Sequence, residues 1–345
     1  MPIRTGPQLR TAGILTFMRA ARGAIDGLES GMVAVVGVPY ETSTPWKRGP
    51  LLAPRAYRET SLYYWAHADA AEDPQIEIDS GQRVDPVVVH RVLRDLGDLP
   101  VSHVDWSQTE RLLRETCRRI VERRALPVFL GGDHLVTYPL ALGYADAVRG
   151  ATDGRIGYIQ LSSRLDLADE DPVYGRVWRG ATVRRLVETG AVRPENIAWI
   201  GTNGYVRLEE WEQVQKLDGR VFTPEDVRRR GVAAVTAEAM EIAGRGCDGI
   251  YVSVDVDVVD GAYVAMTGVP QLDGLRNVDV WEAMDVLGRA PVGALDLCGL
   301  NPLVEVMSLG KTGQRFGVHL ILRFLYQQLF PTSGRSARPR AAIDG

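Results

Sequence analysis

A histidine and three aspartates stand directly after apolar runs of the kind that form buried strands. Imidazole and carboxylate groups are the side chains that bind manganese or zinc. Because the carboxyl ends of parallel strands meet at one edge of a sheet, the four side chains are expected to lie close together. A histidine that simply hydrogen-bonds to a carboxylate is the alternative reading of the same residues. They are His134 after 127–130, Asp166 after 156–161, and Asp255 and Asp257 at the end of 250–256.

The middle of these segments contains two residues that do not suit a metal site. Ser162 is neutral and offers a single oxygen, and Arg164 is not a metal ligand because its guanidinium stays protonated. Ser162 is also a candidate nucleophile. No histidine lies near it in the sequence and no nucleophile-elbow motif surrounds it, which argues against that role.

Short β-branched runs alternate with amphipathic helical stretches over most of the chain. This alternation predicts an α/β fold, a three-layer αβα sandwich around a mainly parallel sheet. Thr223 and Asn277 are predicted to begin helices as N-caps. The predicted strands are 33–38, 127–130, 156–161, 197–200, 250–256 and 292–297, and the predicted helices are 108–123, 181–189, 224–230, 235–243, 278–287 and 312–329.

The 345 residues, 45% of them hydrophobic, are predicted to form an N-terminal extension (1–30), one domain (31–330) and a disordered tail (331–345). A net charge of −4 argues against nucleic acid as a partner, and the apolar runs are too short to span a membrane. The N-terminus lacks the apolar core of a signal peptide. Cys117, Cys247 and Cys298 fall in predicted buried helices or strands, so we expect three inert thiols in a reducing cytoplasm.

Four motifs follow one another along the chain. They are Gly37–Tyr40 with 49–58, Gly131–His134 followed by Tyr138–Pro139, Ser253–Asp260, and Met266–Pro270. In this order they resemble the ureohydrolase family, which includes arginase, agmatinase, guanidinobutyrase and formiminoglutamase. The resemblance extends from Val33 to Leu329, and 184–190 is similar to the agmatinase branch.

The resemblance implies an arginase-like fold, assembly as a trimer or hexamer, and a site in which two manganese ions share six protein ligands. Relative to that site, Ser162 of this chain replaces an aspartate that bridges the two ions, and Arg164 replaces a ligand histidine. A serine hydroxyl is a poor bridge, so the second ion loses two of its ligands. The four ligand positions that are retained are His134, Asp166, Asp255 and Asp257.

The charge of this set favours fewer metal ions. Three aspartates contribute three negative charges and Arg164 one positive charge, which leaves −2. One divalent ion neutralises that charge, whereas two leave +2, and uncompensated buried charge costs about 3–5 kcal/mol. We therefore expect no ion or one manganese or zinc ion. Arg164 is expected to form a bidentate ion pair with Asp257, and Asp255 is its second candidate partner.

Two further positions depart from the family pattern. Arg179 stands where the family has a histidine that shuttles a proton, and arginine cannot do so. Arg179 beside Trp178 also reads as a solvated surface residue. Gly299 replaces the glutamate that binds the substrate guanidinium, so an anionic or neutral small molecule is the expected ligand. Arg179, Asn301 and Glu305 are the candidates for binding it, and Glu305 is the potential substitute for the missing carboxylate.

These replacements predict that the protein is a divergent member of the family that lacks ordinary arginase or agmatinase activity. One alternative is a hydrolase of non-peptide C–N bonds that uses at most one metal ion on a non-standard amidine or amide. Another is a non-catalytic subunit that associates with an active paralogue. If the protein is catalytic, the candidate residues are Asp257, Ser162, Arg164 and Arg179.

Overall fold

A sheet of nine parallel strands passes through the centre of the molecule, in the order β1-β5-β2-β6-β11-β10-β7-β8-β9. The computed structural model describes residues 13–64, 74–78, 81–149, 155–305 and 311–330, so the predicted tail 331–345 lies outside it. Two short strands, β3 and β4, form a separate antiparallel pair. The strands are β1 (Ala21–Arg22), β2 (Val33–Gly37), β3 (Gln75–Ile76), β4 (Arg83–Val84), β5 (Leu93–Asp98), β6 (Leu126–Leu130), β7 (Ile156–Leu161), β8 (Val192–Ile200), β9 (Arg220–Phe222), β10 (Gly249–Asp255) and β11 (Val292–Cys298).

Helices cover both faces of the sheet, which confirms the predicted three-layer αβα architecture. One apolar cluster joins the sheet to α1, α8, α9 and α10, and a second joins it to α3, α4 and α5. The central strands are buried on both faces, which explains their nearly continuous apolar runs. The helices are α1 (Ala53–Ser61), α2 (Pro86–Val92), α3 (Trp106–Glu122), α4 (Thr137–Arg149), α5 (Thr182–Glu188), α6 (Leu208–Leu217), α7 (Pro224–Arg230), α8 (Val232–Gly244), α9 (Asn277–Gly288) and α10 (Thr312–Leu329).

The helix starts were predicted with mixed success. Thr223 is the N-cap of α7 and forms a capping box with Asp226, as predicted. The prediction for Asn277 is wrong, because it is the first residue of α9 and Arg276 precedes the helix as its N-cap. The backbone N–H of Arg276 donates to the Asp279 carboxylate at 3.1 Å, which moves the start by one residue.

Part of the segment assigned to an N-terminal extension belongs to the core. Phe17 and Met18 are buried, and β1 pairs in parallel with β5. The prediction for Cys247 is wrong, because this residue lies half-buried in the turn after α8, whereas Cys117 and Cys298 are buried. No helix in the described ranges is long and apolar enough to cross a membrane.

The order of the central strands determines which residues meet at the carboxyl edge of the sheet. β6, β11, β10 and β7 are neighbours, although they lie far apart in sequence. His134 follows β6, Asp255 and Cys298 end β10 and β11, and the segment 162–166 follows β7. Asp255 and Cys298 are paired in register across these two strands. The predicted convergence of the aspartates and the histidine therefore takes place.

Candidate functional site

His134 lies in a short turn of 3-10 helix between β6 and α4. Asp133 caps this turn by accepting a hydrogen bond from the backbone N–H of Leu135 at 3.1 Å. The imidazole is buried, with Nδ1 at 2.9 Å from Asp166 Oδ2 and 3.6 Å from Asp255 Oδ2. Two of the predicted carboxylate ligands therefore face the same nitrogen of the predicted histidine ligand.

The other nitrogen of His134 belongs to a buried polar chain. Nε2 lies 3.0 Å from Ser253 Oγ, and this hydroxyl donates to Asp296 Oδ1 at 2.8 Å. Since the hydroxyl proton goes to Asp296, Ser253 accepts from Nε2–H. In the neutral imidazole this arrangement leaves the Nδ1 lone pair to bind a ligand. Metal-binding histidines are commonly oriented in this way by a hydrogen-bond partner on their other ring nitrogen. Ser253 and Asp296 are positioning residues that the sequence did not single out.

Protonation competes with any cation at this position. Burial disfavours the charged imidazole, but the carboxylates of Asp166 and Asp255 outweigh it and raise the pKa of His134 to about 10. A proton on Nδ1 would therefore be shared with Asp166 in the metal-free protein. A divalent ion would have to displace that proton.

Asp166 is held by its own backbone and by a buried amide. Its φ of 55° lies in the left-handed region, and its carbonyl accepts from the backbone N–H groups of Val183 and Arg184 at 3.0 and 3.1 Å. Gln160 Nε2 donates to Asp166 Oδ2 at 3.0 Å. Tyr158 OH in turn donates to Gln160 Oε1 at 2.8 Å, so the orientation of the amide is determined. The carboxylate is thereby directed at His134.

Asp255 is a buried carboxylate whose pKa is raised. Burial, followed by repulsion from Asp257, raises the pKa of Asp255 to about 7, although His134, the Asp257 backbone N–H and Arg179 act in the opposite direction. The backbone N–H of Asp257 donates to Asp255 Oδ1 at 2.9 Å. A positive charge beside Asp255 would therefore be stabilised.

Asp257 is satisfied by serine groups. Ser162 Oγ and the backbone N–H of Ser163 donate to Oδ1 at 3.1 and 3.0 Å, and Ser163 Oγ donates to Oδ2 at 2.6 Å. Arg164 pairs with Asp257 as expected, with Nε 3.9 Å from Oδ2, but the expected bidentate geometry is wrong, because this Nε makes no hydrogen bond. The serine donors already occupy the carboxylate, so the arginine contributes its charge only.

Arg164 and Arg179 each have a buried Nε with no hydrogen-bond partner among the described residues. Arg164 has 39% of its side chain exposed, and the backbone N–H of Arg179 donates to Ser43 Oγ at 3.0 Å. Arg179 is half-buried, and its charge lowers the pKa of Asp255, so the side chain lies near the site and is only partly solvated. The two arginines leave donor capacity for an anionic group.

Gly299 lies against the Asp255 carboxylate. A Cβ atom at this position would be 2.1 Å from Asp255 Oδ1, and the backbone φ of +79° is one that favours glycine. A glutamate side chain does not fit here unless Asp255 moves. Position 299 therefore supplies no carboxylate beside Asp255.

The remaining candidates have structural partners. Asn301 Nδ2 donates to the carbonyl oxygens of Lys47 and Arg48 at 2.7 and 3.2 Å. Glu305 accepts from the backbone N–H groups of Gly313 and Gln314 at the start of α10. Their predicted substrate-binding roles stay predictions, although these contacts use their hydrogen-bonding groups. Asp133 and Asp260 accept hydrogen bonds from the backbone N–H groups of Leu135 and Ala262, respectively.

The residues of the site offer ligands for a divalent metal ion. His134 Nδ1, Asp166 and Asp255 supply an imidazole and two carboxylates in close proximity. The position of a second ion would depend on Ser162 and Arg164, which offer a neutral hydroxyl engaged with Asp257 and a permanent cation. Among the described residues, the group whose donor atoms all lie within 4.8 Å of one another is His134, Asp255 and Cys298. Cys298 was predicted only as an inert buried thiol.

Comparisons with known proteins agree with this architecture. The profile of the arginase family matches residues 32–326. Guanidinopropionase of Pseudomonas aeruginosa is 29% identical over 300 residues, which cover 86% of this chain and 87% of the relative. Proclavaminate amidino hydrolase of Streptomyces clavuligerus superposes with a TM-score of 0.77 at 23% identity, over 93% of this chain and 99% of that one. Trypanosoma cruzi formiminoglutamase with Mn²⁺ gives a TM-score of 0.74 at 20% identity, over 91% and 97% of the two chains. The chain belongs to the arginase family, the ureohydrolases.

Proposed function

We propose that this chain is a divergent ureohydrolase without ordinary arginase or agmatinase activity. The observation that carries the proposal is the environment of Asp257. In place of a second cation, this carboxylate has the hydroxyls of Ser162 and Ser163 as partners and the charge of Arg164 nearby. A reaction that needs two bridged ions would lack both the bridge and a ligand at this position.

The ligand of such a site should be neutral or anionic. Residue 299 is a glycine that lies against the Asp255 carboxylate. Position 299 therefore offers no glutamate to bind a cationic guanidinium group. Arg164 and Arg179 contribute positive charge and unpartnered donors instead. A carboxylate group on the ligand would pair with these guanidinium groups in a bidentate manner. Agmatine, which is a dication, is disfavoured by the same charges.

A second candidate function is a one-metal hydrolase of non-peptide C–N bonds in an amidine or amide. The hydrogen-bond chain from His134 through Ser253 to Asp296 favours it, because it orients Nδ1 toward two carboxylates. An ion held by these residues would act as a Lewis acid and activate water. The relatives include guanidinopropionase and formimidoylglutamase, so C–N hydrolysis is the chemistry of the curated relatives that the chain resembles.

Metal content and urea release test both candidates together. The full-length chain is purified with manganese and zinc present, its metal content is measured, and urea is assayed with agmatine, arginine and 3-guanidinopropionate. We expect at most one ion per chain and no urea from agmatine or arginine. Two ions together with rapid urea release from agmatine would disprove the main proposal. One ion together with hydrolysis of a carboxylate-bearing amidine, abolished in Asp255→Ala, would establish the second candidate.

A further inference from the structure

Cys298 occupies the centre of the site because of the strand order. Its strand, β11, lies between β6, which leads to His134, and β10, which ends in Asp255. Leu297 is paired with Leu130 on one side, and Cys298 with Asp255 on the other. The last residue of β11 therefore stands between a histidine and an aspartate that the neighbouring strands supply.

The donor atoms of His134, Asp255 and Cys298 are all buried and lie within 4.8 Å of one another. The thiol has one recorded hydrogen bond, a weak contact from Sγ to the Val254 carbonyl at 3.6 Å. A cysteine that only filled the hydrophobic core would not need a histidine and a carboxylate beside its thiol. Cys117, the other buried cysteine, belongs to no such group in the described ranges.

We propose that His134, Asp255 and Cys298 bind a single zinc ion and that the thiolate makes the site select zinc over manganese. Manganese prefers oxygen ligands with imidazole, whereas thiolate sulfur favours zinc. A tetrahedral zinc site has a fourth position, which either Asp166, whose carboxylate lies 2.9 Å from His134 Nδ1, or a water molecule would take. The inference rests on the proposed function in one respect, since it assumes that no second ion occupies the Ser162 and Arg164 side of the site.

The charges of the site agree with one zinc ion and a deprotonated thiol. The three aspartates and the Cys298 thiolate carry four negative charges, and Arg164 and Arg179 carry two positive charges. One divalent ion neutralises the difference. With a neutral thiol, the same ion would leave an excess positive charge inside a buried site, which is costly. On binding, the ion replaces the thiol proton, which is released to solvent.

Competition between metals and a matched pair of cysteine variants test the inference. The metal-free full-length chain is equilibrated with equal concentrations of zinc and manganese, and bound metal is measured. We expect about one zinc ion per chain and little manganese. Cys298→Ser should lower zinc affinity by more than roughly tenfold, the loss typical even of outer-shell partners. Cys117→Ser, an equally buried control, should leave zinc affinity unchanged.

Cobalt substitution gives a readout that does not depend on the folding of a variant. Cobalt(II) in the wild-type site should show the near-ultraviolet absorption of a sulfur-to-cobalt charge transfer, and zinc should abolish it. Absence of this band, or equal zinc affinity in Cys298→Ser, would overturn the proposal. A preference for manganese would do the same. Failure of the proposed function would give a different result, namely two manganese ions per chain and urea release from agmatine in the wild-type protein.

Discussion

The hydroxyl of Ser162 donates a hydrogen bond to Asp257 Oδ1 at 3.1 Å, at the position where the resemblance to ureohydrolases implies a bridging aspartate. The backbone N–H of Arg164 donates to the same hydroxyl, also at 3.1 Å. Ser162 is thus both acceptor and donor inside a fully buried turn. The contact satisfies Asp257 without a metal ion, and the replacement of the aspartate is therefore compatible with a folded, metal-free site.

Restoring the family residues at both positions should restore metal capacity. In Ser162→Asp with Arg164→His, the site gains a carboxylate and an imidazole and loses a permanent cation. We expect manganese content to rise by up to one equivalent per chain relative to wild type, as measured by elemental analysis after dialysis. An unchanged metal content would show that the site is remodelled beyond these two residues.

The single variant Ser162→Asp serves as the control for this experiment. It places a second carboxylate against Asp257 in a buried environment while the Arg164 guanidinium remains 3.9 Å from that carboxylate and unbonded. Without added metal, the free energy of unfolding should fall by about 3–5 kcal/mol, the cost of an uncompensated buried charge. Added manganese should recover more of this loss in the double variant than in the single one.

The contact between Gly299 and Asp255 should make even a methyl group harmful at position 299. Gly299→Ala adds a Cβ 2.1 Å from Asp255 Oδ1 at a φ of +79°, so both overpacking and backbone strain are expected to destabilise the fold, by about 3 kcal/mol or more. Gly190→Ala is the matched control, because its φ is +72° and nothing lies within 4 Å of its added Cβ. It should cost about 1 kcal/mol from strain alone.

Thermal unfolding and metal content distinguish the two glycine variants. Gly299→Ala should lower both the melting temperature and the metal content, since Asp255 has to move, whereas Gly190→Ala should lower the melting temperature slightly and leave metal content unchanged. Equal losses of stability in the two variants would mean that the Asp255 carboxylate moves aside with no loss of folding free energy. The close approach of Gly299 to Asp255 would then be unimportant for the site.

The fold could be predicted from sequence because its central strands are continuous apolar runs. β7 was predicted with its observed ends, and so were α7 and α10. β5 and α4 were missed. β5 contains Arg94, Asp95 and Asp98, and the Asp95 carboxylate is buried because it accepts from Arg58 and from the backbone N–H of Phe17. Such tertiary partners override the polar character of a strand and leave no local signal.

The site could be predicted only as far as strand ends can be located. His134 and the aspartates were identified because each follows a recognisable strand. Cys298 was missed, because its proximity to Asp255 depends on the pairing of β11 with β10, which sequence does not reveal. No role was predicted for Ser253 or Asp296 for the same reason, since the hydrogen bond between them crosses that pair of strands. Non-local pairing, not residue type, limited the prediction.

Glu305 should contribute to stability through α10 and not through ligand binding. Its carboxylate accepts from the backbone N–H groups of Gly313 and Gln314 in the first turn of that helix. Glu305→Ala should therefore lower the free energy of unfolding by about 2 kcal/mol, as expected for buried hydrogen bonds to a charged acceptor. Urea-induced unfolding measures this loss, and isothermal titration with zinc checks the site. A variant of wild-type stability with impaired ligand binding would instead support the substrate-binding role.

His319 should make the protein less stable in acid. It lies on α10 with its ring 4.7 Å from that of Trp281 and 5.7 Å from that of Tyr64. Burial, aided by the charge of Arg323 and only weakly opposed by Glu77, lowers the pKa of His319 to about 4. Since the unfolded chain binds a proton near pH 6.5 and the folded chain does not, stability is constant above that pH and falls as pH drops toward 4.

A comparison of the wild-type protein with His319→Gln isolates the contribution of His319 to the loss of stability in acid. The wild-type protein should lose about 2–3 kcal/mol from His319 between pH 7 and pH 4, and His319→Gln should not, because glutamine has no proton to take up. The difference in unfolding free energy between wild type and variant should therefore shift in favour of the variant as pH falls, in urea titrations at both pH values. If His319→Gln and wild type lose stability in parallel, the ring at position 319 accepts its proton in the folded state, and acid sensitivity has another origin.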